Sequence, residues 1–164
     1  MWRQSRLSCV LLALLCVAAS AQGQAPLTLP GGRIYTGDLH EGEPYGSGKM
    51  LYPNGTYYEG GFVHGYREGR GKAVFFDGIR YEGEWRNDIP HGRGIMEWPT
   101  GERYEGELAD NTRSGRGVMS FPDGRRYVGE WRDDAMHGEG VLTLPTGERY
   151  EGVFENGEWR GAVR

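Results

Sequence analysis

Cysteine is nearly missing from this chain: among 164 residues there are two, Cys9 and Cys16, and both lie close to the N-terminus. If the N-terminal segment is removed on export, neither a disulfide framework nor a thiolate metal site remains. The exported chain must then be held together by packing alone.

Helical and basic signatures are missing as well. After residue 25, no stretch places apolar residues at the i, i+3, i+4 and i+7 spacing of an amphipathic helix. The formal net charge of −4 provides no broad basic surface for nucleic acid or anionic lipid. These absences argue against a helical core and against a nucleic-acid-binding protein.

The first 21 residues differ in character from the rest of the chain. Arg3 and Arg6 precede an apolar run over residues 7–19, and Ala19 and Ala21 supply the small residues of a cleavage site. This order is that of a secretory signal peptide, so we predict cleavage after Ala21 and a periplasmic, secreted or envelope-associated protein. An uncleaved anchor is the alternative, although the run of about 13 apolar residues is short beside the ~20 that a membrane span needs.

Beyond this segment the chain divides into a linker and a repetitive domain. Residues 22–30 contain two prolines and are predicted to be extended. Residues 31–164 are rich in glycine and aromatic residues, which recur in motifs spaced 23 residues apart. The Tyr-x-Gly motifs are Tyr35/Gly37, Tyr58/Gly60, Tyr81/Gly83, Tyr104/Gly106, Tyr127/Gly129 and Tyr150/Gly152. The Gly-x-Gly motifs are Gly46/Gly48, Gly69/Gly71, Gly92/Gly94, Gly115/Gly117 and Gly138/Gly140, with Gly161 beginning a sixth. A fixed spacing of this kind indicates about six stacked supersecondary units.

Within one repeat the residues alternate between two faces, as they do along a β-strand. Tyr81, Gly83 and Trp85 point to one face, whereas Arg80 and Glu82 point to the other. On the second strand, the apolar face is predicted to hold Gly92, Gly94, Met96 and Trp98. Each repeat is therefore predicted to be a β-hairpin, and successive hairpins are predicted to form an all-β antiparallel meander.

Two kinds of connection are predicted between the strands. Asn54-Gly55 and Asp77-Gly78 are dipeptides that tolerate positive φ and suit hairpin turns. The other connection, such as residues 86–90, is predicted to be a longer polar loop.

Glycines on the apolar face are expected to leave a bare trough that a Tyr or Trp ring from a neighbouring strand can cover. The glycines given this framework role are Gly60, Gly69, Gly71, Gly83, Gly92, Gly94, Gly106, Gly115, Gly117, Gly129, Gly138, Gly140 and Gly152. The aromatic residues assigned to this face are Tyr58, Tyr81, Trp85, Trp98, Tyr104, Tyr127, Trp131 and Tyr150. Their rings either form the hydrophobic layer of a thin fold or remain partly uncovered, as an interaction face for a peptide, a glycan or another copy.

The opposite face carries charges in a repeated order, with an arginine such as Arg80 before the tyrosine and glutamates such as Glu82 and Glu84 after it. Because the signs are mixed, this ladder is interpreted as a solvated face with cross-strand ion pairs. A recognition surface for a charged ligand is the alternative.

The order Tyr-x-Gly-x-aromatic, polar loop, His-Gly-x-Gly, apolar alternation and Asp-Gly resembles the MORN (membrane occupation and recognition nexus) repeat over residues 31–164. Glu68 and Ser114 stand where that family often has His, and the last repeat lacks a complete second strand. The resemblance implies an elongated, twisted, single-layer antiparallel sheet with a shallow groove, serving as a scaffold or binding module. The family name records a role in membrane or phospholipid contact, which the acidic balance of this chain does not favour.

Residues with catalytic or metal-binding chemistry do not converge in the sequence. His91 and His137 occupy equivalent positions two repeats apart, or roughly 19 Å at ~4.8 Å per strand, whereas His ligands lie ~2 Å from a metal ion. The carboxylates follow the repeat, and no nucleophile elbow, phosphate loop or zinc-protease motif is present. We therefore predict no catalytic residues, no metal, no cofactor and no enzyme activity.

These observations together favour a non-enzymatic, exported scaffold that binds a protein partner. The alternative is a peripheral module that contacts phospholipid or envelope glycan. Self-association through sheet edges is a further hypothesis, since the strand over residues 33–39 and the incomplete strand near residues 160–164 would leave backbone groups unpaired.

Overall fold

A computed structural model describes residues 25–163 and shows one open antiparallel sheet of 13 strands. Every strand pairs with the strands that precede and follow it in the chain, so the predicted all-β meander is confirmed. Within residues 25–163 the only helical segment is a 3₁₀ turn over Pro30–Gly32, and no helix is long and apolar enough to cross a membrane. The predicted signal peptide over residues 1–21 lies outside the described residues.

Short and long strands alternate along the sheet. The strands are β1 (Leu27–Leu29), β2 (Arg33–His40), β3 (Glu43–Leu51), β4 (Tyr57–Val63), β5 (Tyr66–Val74), β6 (Arg80–Arg86), β7 (Ile89–Glu97), β8 (Arg103–Ala109), β9 (Thr112–Ser120), β10 (Arg126–Arg132), β11 (Ala135–Thr143), β12 (Arg149–Glu155) and β13 (Glu158–Gly161). From β4 to β12, strands of seven residues carry the Tyr-x-Gly motif, and strands of nine residues carry the Gly-x-Gly motif.

The tightest turns lie at the end of the repeat where a longer loop was predicted. Asn87 and Asp88, with φ values of 46° and 67°, join β6 directly to β7. The prediction of a longer polar loop over residues 86–90 is therefore wrong. A two-residue turn with positive φ matches the twist of paired strands, and Asn and Asp adopt this conformation more readily than most residues that have a Cβ. The longer connection is instead the one that contains the Asp-Gly or Thr-Gly dipeptide, such as residues 98–102 between β7 and β8.

A β-bulge interrupts the strict alternation of each full repeat. Gly83 pairs with Gly94, but the next residue, Glu84, pairs with His91. Gly92 therefore lies in the bulge with a φ of 65°, and a Cβ there would lie 3.2 Å from the Cβ of Glu84. The sequence predicted that Gly92 lies on the apolar face beside Gly94. This prediction is wrong, because a residue with a left-handed backbone conformation directs its Cβ to the opposite face, here toward Glu84. The equivalent positive-φ glycines are Gly46, Gly69, Gly115 and Gly138.

The hydrophobic core lies on one face of the sheet. Its buried side chains are Tyr35, Met50, Tyr58, Phe62, Ala73, Tyr81, Trp85, Met96, Tyr104, Leu108, Met119, Tyr127, Trp131 and Phe154. We call this side the aromatic face and the opposite side the solvent face. A covered aromatic side chain buries on the order of 150 to 250 Å², which is how a single layer of strands acquires a core.

The sheet begins inside the segment that was predicted to be a linker. Strand β1 pairs with residues 33–35 of β2, so the expectation that β2 forms a fully open edge is wrong. Residues 36–40 have no strand partner on that side among the described residues. At the other end, β13 covers residues 153–155 of β12.

Candidate functional site

The aromatic residues proposed as an interaction face are mostly covered by the protein itself. The buried members of the set are Tyr58, Tyr81, Trp85, Tyr104, Tyr127 and Trp131. Trp98 and Tyr150 are partly buried and pack against the same core. Of the two interpretations that the sequence left open, burial favours the hydrophobic layer of a thin fold.

Each tryptophan of the core stands between two tyrosines. The ring centre of Trp85 lies 5.0 Å from that of Tyr58 and 5.2 Å from that of Tyr81, with interplanar angles of 82° and 75°. Trp131 has the same relationship with Tyr104 and Tyr127, at 5.4 and 5.2 Å. Edge-to-face geometry places the positive ring edge against the negative ring face, which adds about 0.5 to 1.5 kcal/mol per pair beyond burial. The four tyrosines and two tryptophans therefore pack against one another, and these packed ring surfaces are not available to contact a ligand.

The tyrosine ring lies over a pair of glycines, one on its own strand and one on the next. A Cβ at Gly94 would lie 2.6 Å from the hydroxyl oxygen of Tyr81, and one at Gly83 would lie 2.6 Å from the Cα of Gly94. The Tyr81 hydroxyl donates a hydrogen bond to the carbonyl oxygen of Glu84 at 2.8 Å. The sequence expected the ring to come from a neighbouring strand, whereas it covers its own strand as well.

Burial of these tyrosines disfavours the phenolate form. Burial, with a smaller contribution from the charge of Glu130, raises the pKa of Tyr127 to about 12. The pKa values of Tyr58, Tyr81 and Tyr104 are also raised, chiefly by burial. Their hydroxyls therefore act as structural hydrogen-bond donors and not as acids at neutral pH.

The last tyrosine of the column departs from this arrangement. The Tyr150 hydroxyl donates to a side-chain oxygen of Glu148 at 2.8 Å, and not to a main-chain carbonyl three residues ahead. Val163 stands where the other repeats supply the second trough glycine. The space over Gly152 is filled by the chain itself, because a Cβ there would lie 2.7 Å from the carbonyl carbon of Gly161.

Two arginines for which the sequence predicted no role connect neighbouring hairpins. Arg67 lies with its guanidinium carbon 4.3 Å from the ring centre of Trp85. Its main-chain N–H and Nε donate to Oδ1 of Asp88 at 2.8 and 3.0 Å, and its Nη2 donates to the Asp88 carbonyl at 2.7 Å. We call this unit of arginine, tryptophan and aspartate a clasp. A second clasp forms from Arg113, Trp131 and Asp134.

The clasps reveal a second period that could have been read from the sequence. Arg67 and Arg113 are two repeats apart, and so are their tryptophans and aspartates, whereas the intervening repeat has Pro90 in the arginine position. Aligning repeats by 46 residues instead of 23 would have shown three residue types alternating together. Joint alternation of this kind indicates side chains that contact one another.

On the solvent face the charged ladder forms exposed cross-strand ion pairs. Lys49 and Glu59 lie 3.4 Å apart, and Lys72 and Glu82 lie 3.0 Å apart, with more than half of each side chain exposed. Exposed pairs of this kind contribute about 0.2 to 1 kcal/mol each. The ladder is therefore a weak stabilising feature.

A groove runs along the solvent face over the backs of the trough glycines. One part has a volume of about 780 Å³ and is lined by the backbone of Gly71, Gly83 and Gly94 among others. Its charged lining includes Arg70, Lys72, Glu82, Arg93, Glu105, Glu107 and Arg116. An adjoining part of about 400 Å³ shares Arg116 and is lined by Val118, Val128 and Val141. We call the two parts together the solvent-face groove.

The valines form an apolar strip in the smaller part of this groove, beside the charged residues Arg116, Glu130, Glu139 and Glu151. Val128 of β10 pairs with Val118 of β9 on one side and with Val141 of β11 on the other. Val128 is 39% exposed and is not among the residues of the hydrophobic core. Three neighbouring strands thus present an aliphatic strip to solvent at the positions where the first half of the sheet has Lys49, Glu59 and similar charged residues.

The histidines are dispersed. His91 Nδ1 lies 3.5 Å from a carboxylate oxygen of Asp110, and His137 belongs to a different hairpin. Within residues 25–163, no cluster of three or more His, Cys, Asp or Glu side chains is placed to hold a metal ion.

Comparison with known proteins gives a sequence family and several distant structural similarities. The family model described as the MORN repeat matches residues 35–57, 58–80, 81–103, 104–125 and 127–149. A search of curated proteins gives no match.

Among solved structures, the chain is similar to the wild-type TCP10 domain of Danio rerio CPAP, with 18% identity and a TM-score of 0.46, over 80% of this chain and 65% of that one. The SAS-4 (dCPAP) TCP domain of Drosophila melanogaster, in complex with a proline-rich motif of Ana2 (dSTIL), has 15% identity and a TM-score of 0.35 over 94% of this chain and 99% of that one. The G-box domain of the microcephaly protein CPAP has 17% identity and a TM-score of 0.44 over 77% and 73%.

Proposed function

Because this chain belongs to the MORN repeat family, we propose that it is a non-enzymatic scaffold that binds a protein partner outside the cytoplasm, through the solvent-face groove. The family match covers five repeats over residues 35–149. We further propose that the β12–β13 hairpin is a truncated sixth repeat.

The aliphatic strip in the groove is the observation that carries this proposal. Val118, Val128 and Val141 line the groove together with Val163, and Val128 is 39% exposed, although valines of this kind are usually buried in a sheet. A strip of adjacent apolar side chains rimmed by charges is the usual composition of a protein-binding surface. The glycine backbone beside it offers a shallow floor along which an extended or helical segment can lie.

The charges around the groove favour a protein over an anionic lipid. Its lining alternates in sign, with Arg70 and Arg93 separated by Glu82 and followed by Glu105 and Glu107. Anionic headgroups recruit clusters of basic residues without interspersed acids. A polypeptide, by contrast, can place opposite charges at matched positions.

The location of the protein is proposed from the N-terminal segment. Residues 1–21 have the order of a signal peptide, so we propose that they direct export and are removed after Ala21. N-terminal sequencing of material recovered outside the cytoplasm should start at Gln22. An intact Met1 in that material would contradict cleavage.

The groove is tested by placing a charge in the aliphatic strip. The Val128→Glu variant and its control, Val63→Glu, alter valines of equal exposure, 39%, but only Val128 lines the groove. The natural cells are treated with a crosslinker, and the crosslinked protein is identified by mass spectrometry for each variant. We expect one protein to be captured by the natural chain and by Val63→Glu but lost with Val128→Glu.

The same purified variants are then mixed with phosphatidylglycerol vesicles and with envelope glycan. Capture of vesicles or glycan by the natural chain, with loss in Val128→Glu and no protein crosslink, would contradict protein binding and support the alternative of a peripheral envelope module.

A further inference from the structure

A cleft on the aromatic face lies where a third clasp would be expected. Residues 67, 90 and 113 are equivalent positions in three successive repeats, occupied by Arg, Pro and Arg. At the first, the guanidinium of Arg67 lies 4.3 Å from the Trp85 ring and 5.6 Å from the Tyr52 ring. At the third, Arg113 lies 4.5 Å from the Trp131 ring and 5.9 Å from the Trp98 ring.

The middle position lacks both the arginine and the tryptophan. Pro90 replaces the arginine, Leu108 replaces the tryptophan, and Asn111 replaces the aspartate. These smaller side chains leave a cleft of about 610 Å³. Phe75, in the position of Tyr52, and Trp98 also line it. The cleft is therefore the volume that a guanidinium and an indole fill in the repeats on either side.

The rim of the cleft is acidic. Asp77, Asp88, Asp134 and Arg113 line it, and Arg67 pairs with Asp88 as Arg113 pairs with Asp134, so the formal net charge of these five groups is −1. Asp88 and Asp134 each use Oδ1 and the main-chain carbonyl to bind the arginine of a clasp. Among residues 25–163, Oδ2 of each accepts no hydrogen bond from another residue. Acceptors therefore remain at the mouth of the cleft.

We propose that this cleft binds an arginine side chain carried by a protein partner. The aliphatic stem of the ligand lies over Leu108 and Pro90, and its guanidinium stacks against Phe75 or Trp98 and donates to Asn111, Asp88 or Asp134. The planar guanidinium is weakly hydrated and stacks on aromatic rings, so it suits this cleft better than the compact, strongly hydrated ammonium of lysine. The site lies on the face opposite the solvent-face groove and is independent of it.

The probe is the capped tripeptide acetyl-Ala-Arg-Ala-amide, with counterparts that have citrulline or leucine in place of arginine. Binding is followed through the indole N–H signal of Trp98 in two-dimensional NMR spectra of the mature protein. We expect a saturable shift with the arginine peptide at about millimolar concentration, the range of a single anchored side chain. Citrulline keeps the shape but not the charge, so its peptide should bind at least about tenfold more weakly.

The matched variant completes the clasp from within. In P90R/N111D the new guanidinium can occupy the cleft as Arg67 and Arg113 occupy theirs, so affinity for the arginine peptide should fall at least about tenfold. Leu108→Trp, which fills the cleft with an indole and leaves the acidic rim in place, gives the same test if the double variant does not fold. Glu41→Gln, in the turn between β2 and β3, removes an acid away from both the cleft and the groove and should bind like the natural chain.

The proposal is overturned by three results. The first is no saturable shift at several times the expected concentration, and the second is equal binding of the citrulline or leucine peptide. The third is unchanged binding in both filled variants. None of these results bears on the proposal that the solvent-face groove binds a protein, because the loss of a crosslinked partner in Val128→Glu is measured separately. Failure at the groove likewise leaves the peptide titration interpretable.

Discussion

The guanidinium carbon of Arg67 lies 4.3 Å from the ring centre of Trp85, which belongs to the next hairpin along the sheet. The same arginine holds Asp88 at the turn of that hairpin, and its side chain is only 14% exposed. Arg67 thus contacts both a core residue and a turn residue of the neighbouring hairpin. In a stack where each unit contacts mainly the adjacent units, interactions between neighbours determine how far the structure holds together.

Replacing Arg67 by alanine should lower the free energy of unfolding by about 2 to 3 kcal/mol. The change removes a cation–π contact and charge-assisted hydrogen bonds, and it leaves Asp88 without its partner. Urea denaturation followed by tryptophan fluorescence measures the loss. Lys72→Ala, which removes an exposed ion pair, should cost less than about 1 kcal/mol, and equal losses for the two variants would contradict a structural role for the clasp.

Gly94→Ala should destabilise the protein by about 3 kcal/mol or more, since a Cβ at this position would overlap the ring of Tyr81. The comparison is Gly55→Ala, a turn position with a φ of 90° and open space around it. That change should cost only the backbone strain of about 1 to 2 kcal/mol. Thermal and urea unfolding of both variants decide the matter, and a Gly94 variant as stable as the Gly55 variant would show that the ring can move aside.

Trp85→Ala should cost about 3 to 5 kcal/mol because the indole is buried between two tyrosines and under Arg67. Trp159→Ala, in an exposed strand at the end of the sheet, should cost about 1 kcal/mol or less. Circular dichroism during heating compares the two. If Trp85→Ala kept its stability and yet lost a partner, the aromatic face would be a binding face after all.

Stability should decline above pH 10. The unfolded chain loses its tyrosine protons near pH 10, whereas the folded protein keeps that of Tyr127 to about pH 12. Between these values the unfolded state binds fewer protons, so the free energy of unfolding falls by about 1.4 kcal/mol per pH unit for each buried tyrosine. The contribution is complete below pH 10 and is lost as the pH rises through the folded-state pKa.

Urea midpoints measured from pH 8 to pH 12 test this expectation. Tyr127→Phe removes one titrating group and should give a shallower decline, while Tyr66→Phe, at an exposed tyrosine, should match the natural chain. A decline of the same slope in all three proteins would assign the effect to other groups.

Much of the fold follows from local pattern. The alternation around Tyr81, Gly83 and Trp85 is sufficient to predict a strand with one apolar face, because side chains in a strand point to opposite sides in turn. The 23-residue spacing predicts that each hairpin stacks on the next. The family resemblance rests on the same residues.

Features that depend on contacts across hairpins were not predicted. The turn at Asn87 and Asp88 was expected to be a longer loop, and the bulge at Gly92 was not expected at all. Both arise because paired strands must keep their twist and register, which is a property of two strands together. The short strand β1 was not predicted for a similar reason, since the pattern of three residues is too short to indicate a strand without the partner residues in β2.

The sequence by itself determined the repeating strands, their two faces and the glycines that admit the tyrosine rings, because these follow from side-chain direction and from the presence or absence of a Cβ. Tertiary structure alone decided which rings are covered, where Arg67 and Arg113 lie, and that the repeat with Pro90 and Leu108 leaves a cleft between them. Coverage and cavities are set by residues about 20 positions apart that meet only when adjacent hairpins pack.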